Sequence, residues 1–177
     1  LWDESRIAVF EQAVAMDCFV GKRGNLIQRV TLGDDVSLWF NSIIRGDVDE
    51  IIVGPMTNIQ DLSMLHVSKD FPLHVGAQVT VGHKVLLHGC HIGDNCLVGM
   101  GSTIMDGVSI GKNSLVAAGS LITPGKKFPP FSLIKGAPAR FERELSVEER
   151  DQFGNHYKSY LINKDNYLKK NAIKKLF

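Results

Sequence analysis

Cysteine, net charge and long apolar runs are all scarce in this 177-residue sequence. Its three cysteines, Cys18, Cys90 and Cys96, are an odd number without a CxxC spacing, which argues against a disulfide framework and against a thiolate zinc site. We therefore interpret them as reduced, structural thiols. The 20 basic and 19 acidic residues leave a formal net charge of +1. This balance gives no sign of binding to nucleic acid or to an anionic membrane.

No apolar run approaches the ~20 residues that are needed to span a bilayer. The N-terminal region also lacks a basic segment followed by an apolar stretch. Together with the 22% of charged residues, these absences predict a soluble, cytoplasmic protein with one domain. The sequence begins at Leu1 rather than at a methionine, which leaves open whether a leader has been removed.

What the sequence does contain is a six-residue period of apolar residues, whose phase slips only after Ile44, Leu65 and Leu87. A small or branched residue stands four positions after each apolar residue of this period, and a glycine often follows the apolar residue directly. This period indicates a repeat architecture, because one hexapeptide can bury its apolar face only by stacking on others ~4.8 Å above and below. The leading apolar positions are Val20, Leu26, Leu32, Leu38, Ile44, Val53, Ile59, Leu65, Val75, Val81, Leu87, Ile92, Val98, Ile104, Ile110, Val116, Ile122, Phe128 and Ile134.

The sequence therefore predicts an all-β protein, a parallel β-helix over residues 1–140, followed by a C-terminal α-helix within residues 141–177 that packs on it. The two segments form a single structural domain. The period stops after Pro138, and Ser146 and Glu149 have the Ser-x-x-Glu spacing of a capping box. After this capping box, aromatic and apolar residues recur at the spacing of one helix face: Phe153, Tyr157, Tyr160, Leu161 and Tyr167.

Stacking three hexapeptides per turn predicts which polar residues lie above one another. One vertical column contains Arg45, His66, His88 and Met105, so that His66 and His88 lie on adjacent rungs. Two imidazoles one rung apart can reach a single ion with Zn–N bonds of ~2.0–2.1 Å. This column is the first candidate for a metal site.

His83 belongs to the neighbouring face, in a column with Asp61 on the rung below. Because the faces of a triangular prism point apart, His83 is poorly placed to join His66 and His88 of its own chain, but it could meet that pair on another subunit. A homotrimer with a metal site at each of three interfaces uses all three histidines. The remaining histidines have no such partners in this pattern, and we interpret them as solvated or structural: His74, His91 and His156.

Five short motifs, taken in order, resemble those of the γ-class carbonic anhydrases, a family in the hexapeptide-repeat superfamily. The similarity covers about residues 10–170 and implies a left-handed β-helix, against the usual right-handed crossover preference. The motifs are Arg45-Gly46-Asp47, Asn58-Ile59-Gln60-Asp61, Leu65-His66-Val67, Gly82-His83 and His88-Gly89-Cys90.

The resemblance implies that zinc, with iron or cobalt as alternatives, is bound by His66 and His88 of one subunit and His83 of the next. It also assigns supporting roles around the metal. Arg45 and Asp47 resemble the pair that holds the trimer interface and the site, Gln60 the residue bonded to metal-bound solvent, Asp61 its supporting acid, and Tyr160 a tyrosine near the site.

Three neutral nitrogen ligands with one open position are what a catalytic zinc requires, because the metal lowers the pKa of bound water to about 7. The implied reaction is attack of this metal-bound hydroxide on carbon dioxide to give bicarbonate. The Gln60 amide could orient the reactants without titrating. One departure concerns proton export: Val48 and the short Ser68–Phe71 segment stand where the archaeal type has a glutamate and an acidic loop. Proton transfer to buffer could therefore limit turnover.

Three alternatives stay open at the level of sequence. Many hexapeptide-repeat proteins are CoA-dependent acyltransferases that use one histidine as a general base, so the fold alone does not choose. A metal-dependent thioesterase or other hydrolase could use the same nucleophile. The metal could also have a purely structural role and hold together a trimer without catalytic activity. A closed site of four protein ligands would suit that role better than the three that the sequence shows.

Overall fold

The computed structural model of the chain describes residues 13–174. Residues 1–12 of the predicted β-helix and residues 175–177 of the predicted helical segment lie outside this range. Short strands lead into two helices. In chain order they are β1 Ala13–Val14, β2 Phe19–Val20, β3 Asn25–Leu32, β4 Ser37–Leu38, β5 Ile43–Val53, β6 Asn58–Ile59, β7 Met64–His66, β8 Leu73–Val75, β9 Thr80–Val81, β10 Leu86–His88, β11 His91–Ile92, β12 Leu97–Val98, β13 Thr103–Ile104, β14 Ser109–Ile110, β15 Leu115–Val116, β16 Leu121–Ile122, β17 Lys127–Phe128, β18 Ser132–Gly136, β19 Ala139–Glu144, α1 Val147–Gly154 and α2 Tyr157–Lys174.

The strands stack in parallel into three faces of a coil. Face I consists of the first part of β5 with β7, β10, β13 and β16, and face II of the last part of β5 with β8, β11, β14 and β17. Face III consists of β2, β4, β6, β9, β12, β15 and β18. Leu65 pairs with Ile44 below it and with Leu87 above it, so the predicted phase of face I is confirmed.

The core of the coil is the predicted apolar column of each face. The leading residues of the period from Leu32 to Ile134 are buried and form one continuous cluster. The small or branched residues four positions later are also buried, except Val48. Two serines among them bond to the backbone of the next rung: Ser42 donates to the carbonyl of Gln60 at 2.8 Å, and Ser63 to that of Gly82 at 2.9 Å. These bonds satisfy backbone groups at the bends, where water has no access.

The coil ends in an antiparallel strand rather than directly in a helix. Strand β19 pairs with β18, and the predicted boundary at residue 140 falls inside it. The predicted capping box is confirmed, because Ser146 accepts from the backbone of Glu149 while the Glu149 carboxylate accepts from the backbone of Ser146. The expected single helix is two helices, which separate at Asn155 and His156.

Helix α2 lies over the lower rungs of face III. Tyr167 packs against Phe19 and Trp39, and the Lys164 ammonium, with its side chain only 3% exposed, bonds to Asp35 at 2.7 Å. Trp39 follows β4 at the edge of face III next to face I, and Asp35 precedes β4 at the opposite edge, so these contacts hold α2 across face III. No helix among residues 13–174 is long and apolar enough to cross a membrane.

Candidate metal centre

The corner between faces I and II carries two stacked imidazoles. His66 ends β7 and His88 ends β10, and the two residues are direct register partners above Arg45. Their ring centroids lie 4.9 Å apart with planes at 66°, and His66 Nδ1 is 2.9 Å from His88 Nε2. The predicted column of Arg45, His66 and His88 is therefore confirmed as an arrangement of side chains.

A carboxylate holds the far nitrogen of each ring. His66 Nε2 lies 2.9 Å from Asp47 Oδ1, and His88 Nδ1 lies 2.5 Å from Asp106 Oδ1. Arg45 forms an ion pair with the second oxygen of Asp47. Burial opposes ionisation of Asp47, but hydrogen bonds from His66 and Arg45 outweigh it and hold the pKa of Asp47 below its ordinary value. Asp47 is thus an ionised acceptor.

These bonds decide which nitrogens carry lone pairs. An ionised carboxylate can only accept, so His66 must donate from Nε2 and His88 from Nδ1, which leaves His66 Nδ1 and His88 Nε2 as acceptors when both rings are neutral. These are the two atoms that face each other at 2.9 Å. Two lone pairs at this distance repel unless a proton or a cation lies between them.

A metal ion fits this pair. Two nitrogens that each bind a tetrahedral ion at ~2.0–2.1 Å are about 3.3 Å apart, so a small outward movement of the rings admits the ion. Metal-bound histidines ordinarily donate their second ring nitrogen to a carboxylate or carbonyl. His66 and His88 both already do so.

His83 lies at the next corner, between faces III and I. Its Nδ1 is 3.0 Å from Asp61 Oδ2, which leaves Nε2 free to accept, and its side chain is 44% exposed. The predicted column of Asp61 and His83 is confirmed. Because His83 occupies a different corner from His66 and His88, no three such donors converge on one point among residues 13–174 of a single chain.

Gln60 lies at the end of β6, on the face III side of His83. It is buried, and its amide donates to Asn58 Oδ1 at 3.2 Å, while Asn58 donates in turn to Thr80 at 3.0 Å. A groove of about 290 Å³ on face III ends at Gln60. Its walls are mainly apolar and include Leu97, Val98, Leu115 and Val116.

Tyr160 of α2 lies near this corner as a packed aromatic ring. Its ring centroid is 5.4 Å from that of Trp39 and 5.9 Å from that of His156. Burial, and then the negative charge of Asp61, raise the pKa of Tyr160 above its ordinary value. The hydroxyl therefore stays protonated at neutral pH. Its participation in a catalytic network stays a prediction.

Asp106 is a site residue that was not predicted from the sequence, although the register of the coil contains a signal for it. Leu87 pairs with Ile104, 17 residues later, so this register places Asp106 on the rung above, over Gly89 and beside the His88 ring. The intervening Gly89 has φ +49°, and a Cβ there would lie 2.4 Å from Asp106 Oδ1. Only glycine at this position lets the carboxylate reach the His88 ring.

The segment that departs from the archaeal pattern contributes a hydroxyl instead of an acid. Ser68 donates to the second oxygen of Asp106 at 3.1 Å, and the segment closes on itself through a bridge between Ser68 and Phe71. Val48 is half exposed. Asp106 is thus fixed from both sides, by His88 and by Ser68.

The cysteines take no part in this site. Cys90 and Cys96 are buried in the core, and burial raises the pKa of both thiols, that of Cys96 to about 12. Burial also raises the pKa of Cys18. Protonated, buried thiols are poor nucleophiles and poor metal ligands, which agrees with the structural role that the sequence predicts.

Comparisons with known proteins point to the same family as the motifs. Residues 89–124 match the family model described as bacterial transferase hexapeptide (six repeats). A protein of Arabidopsis thaliana named gamma carbonic anhydrase 2, mitochondrial, is 39% identical over 161 residues, which cover 86% of this chain and 58% of that protein. A Methanocaldococcus jannaschii protein named as a probable carbonic anhydrase is 55% identical over 130 residues, covering 73% of this chain and 82% of that protein.

The chain belongs to the γ-class carbonic anhydrase-like family. A solved structure of a hexapeptide transferase family protein from Anaplasma phagocytophilum is also similar, with a TM-score of 0.85 and 36% identity over 89% of this chain and 93% of that chain. The predicted fold, a left-handed parallel β-helix of hexapeptide repeats followed by a helical segment, is confirmed for this member of the family.

Proposed function

We propose that three copies of the chain form a homotrimer that hydrates carbon dioxide to bicarbonate at metal centres between subunits. Each centre is made by His66 and His88 of one subunit and His83 of the next, and the ion is zinc, with iron or cobalt as alternatives. One observation carries the proposal: each of these three imidazoles binds a carboxylate through one nitrogen and presents the other as an acceptor.

The position of the three histidines at two different corners supports an assembly around a threefold axis. If face I lines the axis, the corner with His66 and His88 of one subunit meets the corner with His83 of its neighbour. The outward side chains of face I include Met64, Leu86 and Leu121, which are only partly buried or are exposed in the single chain. An apolar surface of this kind suits contact between subunits.

Three imidazoles that leave one position open would hold a divalent ion, which when bound acidifies a water to a pKa of about 7 and so supplies hydroxide at neutral pH. The surrounding side chains orient the three imidazoles and balance the charge of the site. Asp47, Asp106 and Asp61 fix the tautomers and orientations of the three rings. Arg45 balances the charge of Asp47.

Gln60 is the residue best placed to position the reactants without exchanging protons, because an amide does not titrate near neutrality. Asn58 fixes its orientation through their hydrogen bond. The apolar groove on face III leads to it, and carbon dioxide is a small, apolar molecule that such a path favours over bicarbonate. The groove is thus a route for the substrate to approach, and Gln60 is where it meets the polar part of the site.

The proton that hydration releases lacks the export groups of the archaeal pattern. Val48 and the short Ser68–Phe71 segment stand where that pattern has a glutamate and an acidic loop. Asp47, Asp61 and Asp106 are already bonded to the three imidazoles. Buffer must therefore collect the proton directly, and the rate of hydration should rise with buffer concentration at fixed pH and ionic strength.

The test is stopped-flow hydration of carbon dioxide by protein stripped of metal and then reloaded with Zn²⁺, Co²⁺ or anaerobic Fe²⁺. We expect about one tightly bound ion per chain and hydration that returns with this ion. The same samples are assayed for hydrolysis of a p-nitrophenyl ester and for acetyl transfer from acetyl-CoA. Transfer that needs no metal, together with absent hydration, would replace the proposal by the acyltransferase alternative. Tight metal binding without any activity would leave the metal-stapled trimer.

A further inference from the structure

A second pair of histidines is stacked on the outer surface of face II. His74 in β8 and His91 in β11 are direct register partners, with ring centroids 6.4 Å apart and planes at 76°. Glu50 of β5 approaches from the rung below, with Oε1 at 3.3 Å from His74 Nε2. The expectation that His74 and His91 have no such partners is wrong. The period slips by one residue after Leu87, and a spacing of 17 rather than 18 brings the two into register.

We propose that Glu50, His74 and His91 form a second metal site, which takes a borderline divalent transition-metal ion such as Zn²⁺, Co²⁺ or Ni²⁺. It is built like the first pair: two imidazoles on adjacent rungs with a carboxylate below them. Two imidazoles and one carboxylate are donors that suit these ions, whereas Mg²⁺ and Ca²⁺ favour oxygen donors alone.

Two of the three donor atoms already have the separation that they would have around a bound ion. Two atoms bound to one tetrahedral ion at ~2.0–2.2 Å are about 3.3–3.5 Å apart, and Glu50 Oε1 lies 3.3 Å from His74 Nε2. The hydrogen of the ring lies between these atoms in the free protein. An ion replaces that proton and keeps the same separation.

His91 has to move only slightly to complete the set. Two imidazoles that share a tetrahedral ion have ring centroids roughly 5.1 Å apart, from the Zn–N length and the size of the ring, and the observed separation is 6.4 Å. His91 is exposed and His74 is 41% exposed, so rotation of either ring is unobstructed. Within residues 13–174, no three His, Cys, Asp or Glu side chains are already close enough together to hold a metal ion. At this site, binding of the ion would bring the third donor, His91, into place.

The surroundings favour a cation. His91 lies between two surface depressions of about 210 and 420 Å³, of which the first is lined by Asp70 and the second by both Asp94 and Lys112. Lys127 stands above His91 in the same column, with Ser109 between them. Lys127 is therefore two rungs above His91. Glu50, Asp70 and Asp94 supply three negative charges, which exceed the two positive charges of Lys112 and Lys127.

This site is separate from the centre proposed above. Its proposed ligands lie on the outer surface of face II, whereas His66, His88 and His83 lie at the two edges of face I. Loss of one site should therefore leave the other intact, which allows the two proposals to fail independently.

The test is titration of metal-free protein with ZnCl₂, followed by calorimetry, with Co²⁺ absorption as a second readout. Wild-type protein should bind two ions per chain in a tight and a weaker class. His91→Ala and His74→Ala should each weaken the second class by more than about tenfold and leave the tight class unchanged. Glu50→Gln should weaken it less. His156→Gln, which removes an exposed histidine of α1–α2, is the matched control and should change neither class.

His83→Ala provides the reciprocal experiment, because it should lose the tight class and keep the weaker one. The proposal is overturned if His74→Ala and His91→Ala bind the same amount of zinc as wild type with the same affinity, or if MgCl₂ competes at equal concentration. Loss of the weaker class together with the tight class in His83→Ala would show that the two sites are not separate. Circular dichroism of every variant verifies that the coil is intact.

Discussion

His88 Nδ1 and Asp106 Oδ1 are 2.5 Å apart, although the two residues are separated by a full turn of the coil. This contact fixes which nitrogen of His88 faces His66. It also ties the histidine to the rung above, while Asp47 ties His66 to the rung below. Carboxylates therefore hold this pair of histidines both from the rung above and from the rung below.

Removal of the charge of Asp106 should weaken metal binding without unfolding the coil. Asp106→Asn keeps the size of the side chain but lets the amide turn and donate, which favours the wrong tautomer of His88. We expect a loss in metal affinity of about 10- to 100-fold, measured by competition with a chelator. Ser68→Ala, which removes only the bond to the other oxygen of Asp106, is the control and should have a smaller effect. Equal affinities in Asp106→Asn and wild type would contradict the role of this carboxylate.

Gln60→Ala should separate binding from catalysis. The residue is not one of the proposed ligands, so metal content should stay at the wild-type value, while the hydration rate falls on the order of 100-fold, as when one preorganised hydrogen-bonding group is lost from an active site. Asn58→Ala leaves Gln60 in place but removes the acceptor that orients its amide; an intermediate rate is expected. Unchanged hydration kinetics in Gln60→Ala would reject its role.

Val48→Glu should accelerate hydration when buffer is scarce. Val48 is half exposed next to Asp47, so a glutamate is accommodated there and adds a titrating group beside the site. We expect a higher rate than wild type at low buffer concentration and the same rate at high buffer concentration, measured by stopped flow. Val48→Gln, of the same size without the acid, should match wild type throughout. An equal gain in Val48→Gln would show that the effect is not proton transfer.

Lys164 should contribute to stability in a manner that depends on pH. Burial favours the neutral amine, but bonds to Asp165 and Asp35 outweigh it and raise the pKa of Lys164. Since the folded pKa lies above the unfolded value, the contribution is fully present below about pH 10.5 and is lost as the pH rises through the folded pKa. Lys164→Met should lower the free energy of unfolding by about 1–3 kcal/mol at neutral pH.

Denaturant titrations at neutral pH and above pH 10.5 check this prediction. The difference between Lys164→Met and wild type should shrink at the higher pH. Lys169→Met, an exposed lysine of the same helix, is the matched control and should have almost no effect at either pH. A difference for Lys164→Met that does not depend on pH would indicate a packing effect alone.

Much of the fold could be predicted because one physical requirement repeats. Each hexapeptide must bury an apolar residue against the next, and this fixed the register that stacks His66 on His88 and His83 on Asp61. The division of the C-terminal segment at Asn155 was missed, because the aromatic spacing of Tyr157, Tyr160 and Tyr167 carries no signal for where a helix breaks. The signal lies in Gly154-Asn155, since glycine and asparagine commonly end helices.

The parts of the site that were missed depend on loop length. Asp106 could have been found once the 17-residue turn after Leu87 is counted, because it then lies directly above Gly89, the residue after His88. His74 and His91 come into register only because one residue is missing after Leu87, and their pairing is visible only when every slip of the period is assigned to a corner. The metal, the trimer, the role of Tyr160 and the cytoplasmic location stay predictions.

The most direct test of the central claim is complementation between two inactive variants, His83→Ala and His88→Ala. Neither variant can complete a centre alone, but where the two meet in a mixed trimer, intact His66 and His88 of one subunit face intact His83 of the other. Equal mixing after co-expression should restore about one quarter of the tightly bound metal and of the hydration rate of wild type, from random assortment in a closed ring. A mixture that has as little tightly bound metal and activity as its two parents would contradict a metal centre shared between subunits.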